Sequence, residues 1–123
     1  MFFLSNNLFL YILGASLYCL IEILWRGYSH ISMFFVGGFC FLNLCKISSL
    51  NLSILSKAFI GCIMITVTEF SAGILLNKIL KLNVWDYSST PFNLLGQICL
   101  PYCIAWFILS YILMLLIDKY PAK

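Results

Sequence analysis

Apolar residues run along this chain in four long stretches separated by short polar segments. They cover about residues 8–25, 31–45, 58–80 and 94–117. A bilayer core is crossed by about 20 helical residues, so the first, third and fourth stretches predict transmembrane helices of ordinary length. The second is short: it extends back to Gly27, tilts little or packs as a half-inserted segment, and its Gly37-Gly38 pair permits close helix approach. The tight link from Arg26 to His30 predicts an antiparallel hairpin of the first two segments. Residues 46–57, polar at their ends and mildly amphipathic, are expected to lie on the membrane surface. The link from Lys81 to Asn93 holds Trp85, Asp86, Tyr87 and Ser88, whose aromatic rings suit the interface, and then Pro91, which breaks helical continuation. The expected fold is all-α. It is a single integral membrane domain over residues 1–123, a polytopic helical bundle of about four transmembrane helices with an interfacial or re-entrant turn before the last.

Polar residues interrupt these stretches in a regular way. Glu22 is followed at four-residue steps by Arg26 and His30, Glu69 by Gly73 and Asn77, and Asn93 by Gln97. Residues four apart lie nearly above one another on a helix, so each set marks one face. Charge at membrane depth is costly and points into a protein interior or a wet cavity. Glu22 has a partner one turn away in Arg26, and their pairing reads either as an anchor at the segment end or as part of a site for an anionic or proton-coupled ligand. In the second case His30 supplies a group that titrates near neutral pH. Glu69 has no basic residue within a turn, so it takes a partner from another helix or carries a proton. It reads as an interhelical hydrogen-bond clamp or as a permeation, proton-relay or substrate group, with Gly73 leaving space beside it and with Arg26 and the Asp86 turn as the first partners to consider. Asn93 is placed to cap the fourth helix, with Gln97 projecting along the same face.

Composition places the chain in the membrane. It is 63% hydrophobic and 9% charged over 123 residues, with a mean hydropathy of +1.06, far from a soluble domain. The length holds one bundle and no nucleotide-binding domain. The net charge of +3 is slight, its lysines are scattered at segment ends, and no nucleic-acid partner is indicated. The start, Met1-Phe2-Phe3-Leu4, lacks the basic residue of a signal peptide, so the first segment is expected to be retained. With four spans, Lys46, Lys57, Lys119 and Lys123 share one side and Arg26, Lys78 and Lys81 the other, a slight bias that favours termini in the cytoplasm. Six cysteines form no CxxC pair, and all but Cys45 lie well inside apolar runs. Cys99 and Cys103 would stack on one helical face, a spacing that suits a soft metal, but buried cysteine ordinarily behaves as a small hydrophobe, and neither a metal nor a cofactor is expected. No internal repeat is evident, so an inverted-repeat transporter within one chain is not supported.

The run WDYSSTPFNLLGQICL, preceded by EFSAGILLN and further upstream by EILWRGYSH, resembles a family of small bacterial membrane proteins named as ABC-transporter permeases of the CmpB type. That family carries a Trp-Asp-Tyr-Ser, Phe-Asn, Gly-Arg/Gln signature, and the resemblance covers about two thirds of the chain. Its matching positions here are Glu22, Arg26, Gly27, Glu69, Gly73, Asn77, Trp85, Asp86, Tyr87, Ser88, Asn93, Gly96 and Gln97. The resemblance implies a multi-pass protein of the bacterial cytoplasmic membrane. It carries no catalytic assignment, and the chain has no recognisable element for coupling to an ATPase.

Three classes of function are compatible with these features. The first is a transport or channel-like component in which Glu22, Arg26, His30, Glu69, Asn77, Asp86, Asn93 and Gln97 supply a polar path. Gly27, Gly73, Trp85, Tyr87, Ser88 and Gly96 then shape the motif. One four-helix protomer is too small to enclose a pore, so this class predicts a homo-oligomer or partner membrane chains in the lipid bilayer. The second is a membrane-embedded enzyme acting on lipid headgroups, with Glu22, His30, Glu69 and Asp86 as acids or bases and Arg26 as a phosphate clamp. It lacks an HExxH motif, a nucleophile elbow or a dense His/Asp cluster. The third is a holin-like or accessory membrane subunit.

Overall fold

The computed structural model describes residues 6–119; the Met1–Leu4 start and Lys123 lie outside them. Four helices are long and apolar enough to cross a membrane, and they form a helical bundle: α1 (Asn7–Arg26), α2 (Ile31–Ser48), α3 (Ile54–Gly73) and α4 (Leu100–Lys119). Local chemistry sets their ends. The Asn6 side chain accepts from the Phe9 N–H at 3.0 Å to start α1, and Gly27 ends it with φ of 85°, a left-handed conformation that costs glycine nothing. His30 and Ser53 cap α2 and α3 by accepting from the backbone N–H groups of Ser32 and Ser56, each meeting one of the donors a helix start leaves open.

Two of the expected boundaries shift. The second span is a full α2 of 18 residues, and the Ser53 cap starts α3 early, so only residues 49–53 join them where a longer surface segment was expected. Lys57, inside α3, is buried, and its ammonium donates to the Ser48 carbonyl at 3.1 Å, where a cation meets the negative end of α2. At its other end α3 passes into a π-helical turn, Ile74–Ile79. The two together run for 26 residues, about 39 Å at the α-helical rise, long enough to carry the chain to the membrane surface.

The fourth span starts later than expected. Asn93–Leu94 and Ile98–Cys99 form a two-stranded antiparallel hairpin, β1 and β2, with Asn93 opposite Cys99 and Leu94 opposite Ile98. Helix α4 begins only at Leu100, with Pro101 in its first turn, where proline's missing N–H is harmless. Asn93 is therefore not a helix cap. Its side chain donates to the carbonyls of Ser88 and Thr90 and accepts from the Gly96 N–H, tying the hairpin to the turn before it. Cys99 and Cys103 likewise do not share one helix, which removes the stacked-thiol arrangement, and all six cysteines are free.

The hairpin tip holds a strained residue. Leu95 and Gly96 have φ of 54° and 71°, and the Gln97 N–H closes the turn onto the Leu94 carbonyl at 3.0 Å. Positive φ at both central positions favours Asn-Gly, and a non-glycine residue there costs about 1–2 kcal/mol. Replacing Leu95 by asparagine should raise the melting stability in detergent by about 1 kcal/mol, measured by thermal unfolding. An unchanged or lowered stability would mean that the exposed leucine is held by lipid more strongly than the backbone is strained.

Helix α1 packs closely on α2. A Cβ added at Gly14 would collide with Phe41, and ones at Gly37 and Gly38 would fall 2.6 Å from Tyr18 and 2.7 Å from Tyr11, so these small residues let the backbones approach. Helix α3 packs on α4, and α2 joins the two pairs through its contact with α3. Leu44, Ile65 and Met114 form a buried cluster at that junction. Helices α1 and α4 barely touch. The bundle is thus an open ring, with a gap between its first and last helices.

Candidate functional site

Residues 80–99 fold back into this ring. Val84 and Trp85 are buried against Met33, with Tyr18, Ala72, Leu76 and Tyr87 around them. A chain of hydrogen bonds holds the segment in place. Asn77 accepts from the Val84 N–H at 2.7 Å and donates to Gln97 Oε1 at 2.8 Å; Gln97 in turn donates to the Leu95 carbonyl, and the Trp85 indole donates to the Gln97 carbonyl at 3.0 Å. Gly73 leaves room for this lock, since a Cβ there would lie 2.5 Å from Gln97 Oε1 and 3.1 Å from the Trp85 ring. Gln97, 3% exposed, has its amide oxygen and nitrogen both satisfied, as a buried amide requires. The sequence places Asn77, Gln97, Gly73 and Trp85 among the candidate path residues or motif, and in the structure they form the fastening of the docked segment.

What the docked segment presents inward is Tyr87. Its hydroxyl donates to Glu69 Oε2 at 2.9 Å, and the Trp106 indole of α4 donates to Oε1 at 3.2 Å. Glu69 is 6% exposed, about one turn before the end of α3 and well inside the 26-residue span Ile54–Ile79, and each of its oxygens meets a neutral donor. Among the described residues, no basic side chain forms an ion pair with it. Of the two places where a partner was expected, the Asp86 turn supplies one through Tyr87, whereas Arg26 is engaged by Glu22 and the Val84 carbonyl. Asp86 is exposed and accepts from the Ser88 N–H at 2.9 Å; the Ser88 hydroxyl and N–H hold its carboxyl below the usual range. Burial pushes the Tyr87 hydroxyl up, and the adjacent Glu69 adds to the effect, so at neutral pH this phenol keeps its proton and donates.

Glu22 and Arg26 form the second polar group, at the end of α1. The guanidinium donates to Glu22 Oε1 at 3.2 Å and to the Val84 carbonyl at 3.1 Å, and it lies over the Tyr28 ring, 4.6 Å from its centre. The Ser29 hydroxyl adds a weaker bond to Glu22 at 3.4 Å. Arg26 thus neutralises Glu22 and fastens the docked segment to α1. His30 is spent on the α2 cap, with Nδ1 2.7 Å from the Ser32 hydroxyl as well.

These groups meet around a cleft of about 490 Å³ in the gap between α1 and α4. Glu22, Arg26, Glu69, Trp85 and Tyr87 all line it, together with Tyr18, Tyr102 and Trp106. A smaller apolar cavity of about 200 Å³ continues past Glu69 toward Leu44 and Leu113. Leu24 and Trp25, each 78% exposed, form the rim. Of the sequence candidates, Glu22, Arg26 and Glu69 converge on the cleft, whereas His30, Asp86 and Asn93 do not line it. Tyr18, Tyr102 and Trp106 escaped sequence reading because an aromatic residue within an apolar span looks like ordinary lipid-facing or core hydrophobicity. The signal that could have found Trp106 is its indole N–H, a donor that needs a partner at membrane depth.

Comparison with known proteins adds one finding. Residues 6–123 match a family model described as "Putative ABC-transporter type IV". The chain matches no curated protein and no solved structure.

Proposed function

Since the chain belongs to this ABC-transporter type IV family, a permease family of multi-pass membrane proteins, we propose that it is the membrane-spanning component of a transporter whose substrate path runs through the Glu69 cleft. The observation that carries this reading is a carboxylate at mid-span, buried, held by neutral donors and facing a cavity. A carboxyl group is expensive to keep at that depth, and a purely structural clamp could be made from uncharged amides. The cleft sits at the edge of the protomer and is open between α1 and α4, so assembly with further copies or with partner membrane chains completes its wall. Of the acids and bases assigned to a lipid-headgroup enzyme, Glu22 and Glu69 line the cleft, but His30 caps α2 and Asp86 is exposed away from its lining.

Native mass spectrometry of protein released from membranes should show an oligomer or a complex with other chains. Proteoliposomes carrying that assembly should pass protons under an imposed pH gradient, read with entrapped pyranine, and Glu69→Gln should remove the flux. A monomer with no Glu69-dependent flux would overturn the reading.

A further inference from the structure

The charges around the cleft do not balance. Its lining holds two carboxylates, Glu22 and Glu69, and one guanidinium, Arg26. Glu22 and Arg26 cancel each other at 3.2 Å, and Arg26 is further occupied by the Val84 carbonyl and the Tyr28 ring. An anionic headgroup would therefore find both terminal nitrogens of the guanidinium already engaged, with only the buried Nε left without a partner. Glu69 has no such compensation. Its two oxygens offer about four lone-pair positions when ionised, and the Tyr87 and Trp106 bonds use two of them.

The walls have the complementary character. Tyr87 stacks on Tyr102 with centroids 4.8 Å apart, Tyr102 meets Trp106 at 6.1 Å, and Trp106 meets Tyr18 at 6.4 Å. Trp85 and, at the rim, Trp25 add further rings, and Ile21, Leu24, Met33, Ala105 and Leu109 supply apolar surface. Aromatic faces attract cations most strongly where water is excluded, and sets of rings are used to recognise substituted ammonium groups. The volume lies within the range of small-molecule sites.

We propose that this cleft binds hydrophobic organic cations, with the positive centre at Glu69 and the apolar substituents among Tyr18, Trp85, Tyr87, Tyr102 and Trp106. The inference deepens the transport reading, on which it rests, by naming a substrate class for the same site. The cation and a proton are alternative occupants of Glu69: binding the first releases the second, so charge in the cleft is conserved. Facing Glu69 are Tyr18 and Glu22 on α1, Cys40 on α2, and Tyr87 and Cys99 from the docked segment; from α4, Tyr102 and Trp106 complete the wall. Tyrosine and cysteine are uncharged near neutral pH and Glu22 is paired, which leaves Glu69 as the exchanging group.

The test uses the full chain in lipid nanodiscs and radiolabelled tetraphenylphosphonium as the probe, with tetraphenylborate as an anion of the same shape. Saturable binding of the cation is expected, strengthening as pH rises by up to about tenfold per unit while the proton is being displaced. Glu69→Gln should weaken binding at least about tenfold and remove its pH dependence, and Glu69→Asp should retain both in weaker form, which separates loss of the site from loss of the fold. Uptake no greater than that of empty nanodiscs, equal binding of tetraphenylborate, or undiminished binding by Glu69→Gln would each overturn the proposal. Glu69-dependent proton flux without cation binding would overturn the ligand class alone. Cation binding without flux in any assembly would uphold the ligand class and overturn the transport reading.

Discussion

Leucine in place of Glu69 should lower the stability of the folded chain in detergent by about 2–4 kcal/mol, because it strands two donors at once. The Tyr87 hydroxyl and the Trp106 indole both point at the carboxylate, and a buried donor without an acceptor costs about 1–3 kcal/mol. Part of that loss is offset, since leucine needs no desolvation of a polar group. Glutamine should be milder, at about 1 kcal/mol, since it keeps one acceptor oxygen and turns its amide toward the other donor. Adding Tyr87→Phe to the leucine variant removes one stranded donor and should recover about 1 kcal/mol. Unfolding curves of the four proteins in one detergent give the comparison. If the leucine variant is as stable as the parent, the carboxylate is not what holds Tyr87 and Trp106 together.

The second large effect is expected at Gly73. Alanine there would set a methyl group 2.5 Å from Gln97 Oε1 and 2.9 Å from its Cβ. A side-chain end can swing away at little cost, but this one is pinned by Asn77 at 2.8 Å, and the Cβ cannot swing at all. Gln97 must retreat, the bond to Asn77 breaks, and the Trp85 indole loses its line to the Gln97 carbonyl. Overpacking of a tight site costs about 1–3 kcal/mol, and a broken buried hydrogen bond adds about 1 kcal/mol. Gly73→Ala should therefore lower stability by about 2–4 kcal/mol and make residues 80–99 open to protease while the four helices persist by circular dichroism. A variant that resists protease as the parent does would show that the segment docks without this lock.

Much of this architecture is legible in the residues alone. Four apolar stretches announce the four crossings, and Glu69 stands out because its own helix offers it no cation. The hairpin at residues 93–99 is not legible, for a physical reason. Asn93 and Gln97 have the four-residue step of a helix face, and only the backbone reversal at Leu95 and Gly96 turns that spacing into two strands. Nothing in the side chain of Leu95 signals positive φ. The turn around Asp86 is legible as a source of partners for Glu69, but the residue types are not, because a buried acid suggests a base. The structure answers with two neutral donors, one from a motif residue and one from a helix that reads as plain hydrocarbon-facing sequence. The π-helical turn at Ile74–Ile79 is equally silent, since a single widened turn leaves the apolar pattern intact.

The open seam between α1 and α4 decides which phase supplies the site. Its rim residues Leu24 and Trp25 are largely exposed, on a helix long and apolar enough to cross a membrane. On the proposed cation-binding reading, a solute entering there arrives already dissolved in the bilayer, so occupancy should follow its concentration in lipid rather than in water. Two compounds bound equally well at Glu69 will then differ in apparent affinity by the ratio of their partition coefficients, and diluting the protein with extra lipid will weaken both at constant total solute.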